Sequence, residues 1–283
     1  MSGYSEADFE HDVLGTLGEL GWEYKHGRQI AVGSGERESW DELIIPSRLR
    51  DAIARINPDL PASSVDEVVT LVLSPQSQDA KAENRRIHGY LTDGIRGISY
   101  VDEYGAEQHP TVHLIDRSDP YRNDFVAANQ VMVVKGEERR RFDVVLYMNG
   151  LPVAVFELKK MSDERATPEA AHAQLMAYVK DMWEAFRCNV VCLVSDGVTT
   201  RYGTAFTPYN HFAPWNVDEA GKPVEQPAAE WENSELCLTL HGLFDHRRFV
   251  ELLTGYVAFA QSDEGLQKRI AKPHQYIVVS KAV

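Results

Sequence analysis

The spacing of hydrophobic residues predicts a chain of helices and strands. Phe9, Val13, Leu17 and Leu20 recur at helical intervals after a capping-box pattern at residues 5–8, and Gly21 ends this run. From residue 123 the pattern becomes that of β-strands, over 125–134, 142–148, 153–159 and 190–194. Thr167-Pro168-Glu169 is typical of a helix N-terminus, so we predict a helix before the strand at 190–194. We expect this helix to reach about residue 186.

Residues 28–110 have a less regular pattern. Pro46, Pro58, Pro61 and Pro75 flank two short helical patterns, over 48–56 and 64–73. We therefore predict a mostly helical insertion packed beside the core. The element order, αβββαβ, predicts an α/β fold with a mixed β-sheet flanked by helices.

The composition predicts one large globular domain, or one domain with an appendage. Of 283 residues, 43% are hydrophobic and 25% are charged. We expect a cytoplasmic protein without a membrane partner, because the chain has no long apolar run and its N-terminus does not resemble a signal peptide. The three cysteines, Cys188, Cys192 and Cys237, form no C-x-x-C pair, so buried structural thiols are expected rather than disulfides or a zinc site.

The net charge of -14 limits how the chain can bind nucleic acid. Affinity for a phosphate backbone comes largely from clustered lysines and arginines. If DNA is the substrate, binding is expected to be local, or shared with another protein part.

Two acids and a lysine at predicted strand ends are the candidates for chemistry. Asp143 begins one strand, and Glu157-Leu158-Lys159 ends the next. Residues two apart in a strand face the same side, so Glu157 and Lys159 should point together while Leu158 turns into the core.

Whether Asp143 joins them depends on the turn between the strands. A two-residue turn at Asn149-Gly150 in an otherwise regular hairpin would place Asp143 opposite Phe156, with Glu157 on the other face. A three-residue loop, or a bulge near Pro152, would place Asp143 opposite Glu157 instead. The sequence leaves both arrangements open.

If the acids meet, they suit a hard divalent cation. The carboxylates of Asp143 and Glu157 with the backbone carbonyl of Leu158 would form a partial shell for Mg²⁺, or for Mn²⁺. Lys159 would then orient or deprotonate an attacking water and offset charge on a phosphoryl group. This predicts metal-dependent hydrolysis of a phosphodiester, with Asp143, Glu157 and Lys159 as catalytic residues. The alternative is a solvated surface with an ordinary Glu-Lys pair.

Other residues are candidates for supporting roles. Glu10 falls beside the apolar stripe of the first helix, where it is either an ion-pair partner or a third acid for the metal. Gln174 and Tyr178 lie four apart on the helix that follows the metal strand, which suggests DNA contacts. Arg139, Arg140 and Arg141 precede Asp143 and could hold phosphates at the mouth of the site, although such a run is more often a solvated turn.

Several of these stretches resemble the N-terminal domain of the R (HsdR) subunit of type I restriction enzymes. The stretches are Asn123-Asp124-Phe125, Asn129-Gln130, residues 141–152 and Phe156-Glu157-Leu158-Lys159-Lys160. The resemblance implies the PD-(D/E)xK nuclease superfamily with a restriction-endonuclease-like fold. Gln174 and Tyr178 match the QxxxY motif of its RecB-like branch, whereas Phe142 stands where the motif has proline.

The resemblance also implies a place in a larger enzyme. In the family, this domain precedes two ATP-driven translocase domains, and residues 272–275 resemble the entry to the first of them. We therefore expect a nuclease domain over 1–260 and a linker or start of a translocase domain over 261–283, with ATP serving only the motor domains. The implied partners are double-stranded DNA and the methylation and specificity subunits of a restriction-modification complex.

Two other functions remain open from sequence. A standalone RecB-like repair or defence nuclease would have the same site but cut DNA without partners or ATP. A non-catalytic DNA-binding and docking module would keep the fold, and loss of metal binding would reveal it. A serine or cysteine hydrolase is poorly supported, because no G-x-S-x-G occurs and neither Cys188 nor Cys192 has a histidine nearby in sequence.

Overall fold

A computed structural model describes residues 6–159, 167–218, 220–224, 234–263 and 265–282. Two features noted in the sequence lie outside these ranges: the helix cap at Ser5 and Lys160. Eight helices occur in the described part of the chain: α1 Glu6–Glu19, α2 Pro46–Ile56, α3 Ala62–Leu73, α4 Ala80–Asp93, α5 Pro168–Asp181, α6 Glu235–Phe244, α7 His246–Gly255 and α8 Pro273–Ala282.

A six-stranded mixed sheet forms the centre of the fold. Its strands are β1 Glu23–His26, β4 Phe125–Lys135, β5 Glu138–Met148, β6 Leu151–Leu158, β7 Val191–Ser195 and β8 Thr200–Gly203, in the order β1-β4-β5-β6-β7-β8. The pairs β1/β4 and β6/β7 are parallel, and the others are antiparallel. Two small hairpins lie outside this sheet, β2 Tyr100–Val101 with β3 Glu107–Gln108, and β9 Val257–Ser262 with β10 Gly265–Ile270. The predicted α/β fold with a mixed sheet is confirmed.

Each face of the sheet packs against its own hydrophobic cluster. Val144 and Leu146 join the larger cluster, to which α1, α3, α6 and α7 also contribute. Val145 and Tyr147 point to the other face, where Leu175 of α5 packs in a second cluster. Since alternate residues of a strand face opposite sides, this pattern follows directly from the unbroken apolar run in β5.

The predicted helical insertion is part of this core. Its helices α2 and α3 match the predicted ranges within two residues, and α4 is a third helix that the sequence pattern had not resolved. Leu49, Val68 and Ile87, one from each helix, are all buried in the larger cluster. The insertion therefore stabilises the sheet rather than standing apart from it.

The prediction was wrong about the end of one helix, and it missed two short strands. The helix after Thr167 ends at Asp181, because Met182 leaves helical geometry (φ -136°, ψ 51°), and residues 183–186 form a separate 3-10 turn. The strands β1 and β8 were not predicted. Each has four residues and forms an edge of the sheet, and neither shows a clear alternation of apolar and polar residues.

The C-terminal part of the described chain packs against the rest of the fold. The β9–β10 hairpin spans the predicted domain boundary at residue 260, and Lys268 of β10 is buried against Asn84 and Asn189. The division into residues 1–260 and 261–283 stays a prediction. No described helix combines the length and the apolar character needed to cross a bilayer.

Candidate active site

The hairpin of β5 and β6 combines a two-residue turn with a bulge. Met148 pairs with Leu151 across Asn149-Gly150, whose φ angles of 52° and 76° are those of a tight hairpin turn. The register then shifts between Leu146 and Tyr147, which leaves Val153 as the extra residue.

Beyond this bulge β5 and β6 again pair residue by residue. Val144 pairs with Phe156, and continuing that register by one residue sets Asp143 opposite Glu157. Of the arrangements that the sequence left open, the structure has the bulge near Pro152, and the two acids lie on adjacent antiparallel strands as predicted.

Both acids are buried and hydrogen-bonded. Asp143 and Glu157 are 6% and 1% exposed. The Leu158 amide donates to Asp143 Oδ2 (2.8 Å), and Lys159 Nζ donates to Glu157 Oε1 (2.7 Å). Glu157 and Lys159 therefore meet on one side of β6, as the period of the strand predicts.

The helix α5 extends this group of contacts. Lys159 Nζ also donates to Gln174 Oε1 (2.5 Å), and Gln174 Nε2 donates to the Tyr178 hydroxyl. Burial, followed by the nearby charge of Glu157, raises the pKa of Tyr178, so its phenol stays protonated at neutral pH. Gln174 and Tyr178, predicted to share a face of this helix, thus continue a chain of hydrogen bonds that starts at Glu157 and passes through Lys159.

The three arginines have different environments. Arg140 lies 2.7 Å from Glu138 and 2.8 Å from Asp181, and its guanidinium lies 5.9 Å from the centre of the Tyr178 ring. Arg139 and Arg141 are exposed. Arg140 is therefore held by protein carboxylates, whereas its two neighbours are open to solvent. A phosphate-binding role for these arginines stays a prediction.

Glu10 reaches the neighbouring strand of the sheet. It is 5% exposed, and its carboxylate accepts hydrogen bonds from Asn129 Nδ2 (3.1 Å) and Gln130 Nε2, both on β4. Within the described ranges, no three His, Cys, Asp or Glu side chains are grouped so that they could hold a metal ion. The structure brings Asp143 and Glu157 together, and a ligand role for Glu10 stays a prediction.

Asn129 and Gln130 are functional candidates that the analysis of chemistry had missed. They appeared only among the residues that carry the family resemblance. The signal that could have found them is a polar pair inside an otherwise apolar strand, because half-buried amides in a sheet need hydrogen-bond partners.

The cysteines and a cavity lie apart from this site. All three cysteines are buried, as expected, and burial raises the pKa of the Cys188 and Cys192 thiols to about 12. A cavity of about 680 Å³ is bordered by Gly203, which pairs with Cys192, whereas Leu158 at the candidate site pairs with Ser195. The cavity therefore lies toward the other end of β7, and none of the predicted site residues lines it.

Comparison with known proteins identifies the family. The profile of the family described as "Type I restriction enzyme R protein N terminus" matches residues 3–211. The chain belongs to this family. The resemblance inferred from Asp143, Glu157 and Lys159 with their flanking residues is therefore confirmed.

This chain, a member of the R protein family, is similar to curated proteins that are named as restriction-enzyme subunits. It is 32% identical to the "Type I restriction enzyme HindI endonuclease subunit" of Haemophilus influenzae, over 99% of this chain and 26% of the relative. It is 28% identical to the "Putative type I restriction enzyme MjaIXP endonuclease subunit" of Methanocaldococcus jannaschii, over 97% and 27% respectively. The chain thus spans about a quarter of the length of these relatives.

Proposed function

We propose that this chain is the nuclease domain of a type I restriction R subunit and hydrolyses phosphodiester bonds of double-stranded DNA with Mg²⁺, or with Mn²⁺. The observation that carries the proposal is the register of β5 and β6, which sets Asp143 opposite Glu157, with Asp143 bonded to the Leu158 amide and Lys159 bonded to Glu157. The names of the relatives, endonuclease subunits, support it.

The donor set fits a hard divalent cation. The carboxylates of Asp143 and Glu157 supply oxygen ligands, which Mg²⁺ prefers, together with the Leu158 carbonyl. The Leu158 amide points to β5, where it meets Asp143, and the carbonyl of the same extended residue points to the same edge. When bound, the cation would lower the pKa of a coordinated water and offset the charge of the phosphoryl group.

The chain's own residues would orient the reactants. Lys159 supplies an ammonium beside Glu157, where it can donate to water or to a non-bridging phosphate oxygen. Gln174 accepts from Lys159 and so restricts its rotamer. Tyr178, protonated at neutral pH, can donate to a DNA phosphate at the end of the same line of contacts.

The whole-protein context is also part of the proposal. We infer that the R subunit acts with methylation and specificity subunits, and that ATP is used by motor domains encoded outside these 283 residues. The net charge of -14 agrees with this arrangement, because other subunits and domains would then supply much of the phosphate binding.

Metal binding by this chain tests the proposal directly. Isothermal calorimetry should show saturable binding of Mn²⁺ or Mg²⁺, and Asp143→Asn should weaken it at least about tenfold, because it removes a charged ligand. Asp51→Asn, which changes an exposed carboxylate on α2, is the matched control and should bind as the wild type does. Equal affinity in Asp143→Asn and wild type would contradict the proposed metal site.

Tyr178 should affect cleavage without affecting the metal. We expect Tyr178→Ala to slow cleavage in the assembled enzyme while metal affinity measured by calorimetry barely changes, because a protonated phenol is a poor Mg²⁺ ligand. Tyr178→Phe removes the hydroxyl but keeps the ring beside Phe142, and so separates DNA contact from packing. A fall in metal affinity as large as that in Asp143→Ala would show that the role in DNA contact is wrong.

A further inference from the structure

The ladder between β4 and β5 is interrupted at the candidate active site. Pairing runs from Phe125 with Met148 to Lys135 with Glu138, and the pair that is missing from this register is Gln130 with Asp143. Gln130 has a φ of 53°, in the left-handed region that residues other than glycine rarely adopt. The backbone therefore departs from strand geometry directly beside the catalytic acid.

Both strands change face at this point. In β4, Ala128 and then Val131 pack in the cluster under α5, although residues three apart in a regular strand face opposite sides. In β5, Val145 and Phe142 do the same. Each strand thus has one residue that breaks the alternation of faces and is left out of the pairing between β4 and β5. Asp143 Oδ2 instead accepts a hydrogen bond from the Leu158 amide of β6.

Gln130 contacts residues from other parts of the fold. The side chain donates to Glu10 on α1. Gly27, the residue after β1, approaches the β4 backbone so closely that a Cβ atom there would lie against the Gln130 carbonyl oxygen and 2.8 Å from that of Asn129. Only glycine fits this approach without displacing the β4 backbone.

We propose that Gln130 is a positioning residue for Asp143: its left-handed backbone opens the ladder between β4 and β5 and sets the Asp143 carboxylate over the Leu158 amide, facing Glu157. Gly27 packs against the opened backbone, and Glu10 accepts a hydrogen bond from the Gln130 side chain. The inference rests on the proposed function, because the positioned carboxylate is the proposed metal ligand. The positioning itself is a property of the backbone, and can be measured without the reaction.

Substitutions at Gln130 separate its backbone from its side chain. Glycine adopts positive φ without steric cost and asparagine tolerates it, whereas a β-branched valine does not. We expect Gln130→Gly and Gln130→Asn to bind Mn²⁺ within about threefold of the wild type, and Gln130→Val to bind at least about tenfold more weakly. Gly27→Ala, which displaces the same peptide from β1, should act as Gln130→Val does.

The matched control places the same strain elsewhere. Gly136 lies in the turn between β4 and β5 with φ 61°, and nothing lies within 4 Å of a Cβ built there. Gly136→Val therefore carries the backbone cost alone, and should lower stability while leaving Mn²⁺ affinity unchanged. Wild-type affinity in Gln130→Val, or an equal loss in Gln130→Gly, would overturn the proposal.

Amide hydrogen exchange at Leu158 distinguishes this inference from the proposed function. If Asp143 is positioned by Gln130, the Leu158 amide should exchange at least about tenfold faster in Gln130→Val and Gly27→Ala, with wild-type protection in Gln130→Gly. Global unfolding measured on the same samples corrects for lost stability. Wild-type protection at Leu158 in folded Gln130→Val would overturn the positioning role, whatever metal binding shows. If the wild type bound no Mn²⁺ but the variants still differed from it in Leu158 exchange as expected, the result would count against the nuclease proposal alone.

Discussion

Glu157→Gln is expected to lower DNA cleavage by the assembled enzyme at least about a hundredfold, while ATP-driven translocation continues. Glutamine keeps the size of the side chain at a position that is 1% exposed, so packing should survive. The substitution removes the charge that Lys159 contacts and that a divalent cation would need. Asp143→Ala and Lys159→Ala should likewise abolish cutting.

Plasmid cleavage and triplex displacement on the same preparation measure the two activities separately. The control is Glu184→Gln, which alters a carboxylate bound to Lys135; this lysine pairs with Glu138 at the start of β5, five residues before Asp143. It should cut at the wild-type rate. If Glu157→Gln retained wild-type cutting, the site of hydrolysis would have to lie elsewhere in the protein.

Lys268 should make the stability of the chain depend on pH. Its ammonium is 4% exposed and donates to Asn84 Oδ1 (2.8 Å) and to the Asn189 carbonyl (2.5 Å). Burial lowers the pKa of Lys268 from 10.5 to about 7, and the neighbouring cysteines offset this only in part. The pKa falls because removing a charged amine from water costs free energy, which favours the neutral form of the buried side chain.

The direction of the effect follows from the two pKa values. Between pH 7 and about 10.5 the unfolded chain binds the proton more tightly than the folded chain does, so protonation favours unfolding. The stabilising contribution is thus lost as the pH falls from 10.5 to about 7, and it changes no further below that. The slope is at most about 1.4 kcal/mol per pH unit.

Lys268→Met isolates this contribution, because it keeps most of the apolar stem without the amine. From denaturant unfolding between pH 6 and pH 10, we expect the wild type to gain stability relative to Lys268→Met as the pH rises above 7. Lys272→Met, which removes an exposed lysine two residues beyond β10, controls for the loss of one surface charge. Parallel pH profiles for wild type and Lys268→Met would contradict a lowered pKa in the folded chain.

Much of the candidate site could be read from residue types and spacing. Glu157 and Lys159 share a side of β6 because a strand repeats every two residues, and Gln174 and Tyr178 share a side of α5 because a helix repeats every 3.6. Both relations are local, so the tertiary structure could not change them. The position of Arg140 was different, since its partner Asp181 is 41 residues away in sequence.

The same division applies to the fold. By itself, the sequence determined the long strands, the helices α1 and α5 and the turn at Asn149-Gly150, because hydrophobic period and turn chemistry act over a few residues. Only the tertiary structure decided that Asp143 meets Glu157, since a bulge of one residue inverts which face a strand presents. It also decided the conformation of Gln130, whose backbone lies against Gly27 and whose side chain contacts Glu10 on another element. Contacts between distant segments cannot be inferred from local spacing, because each depends on how the whole sheet is assembled.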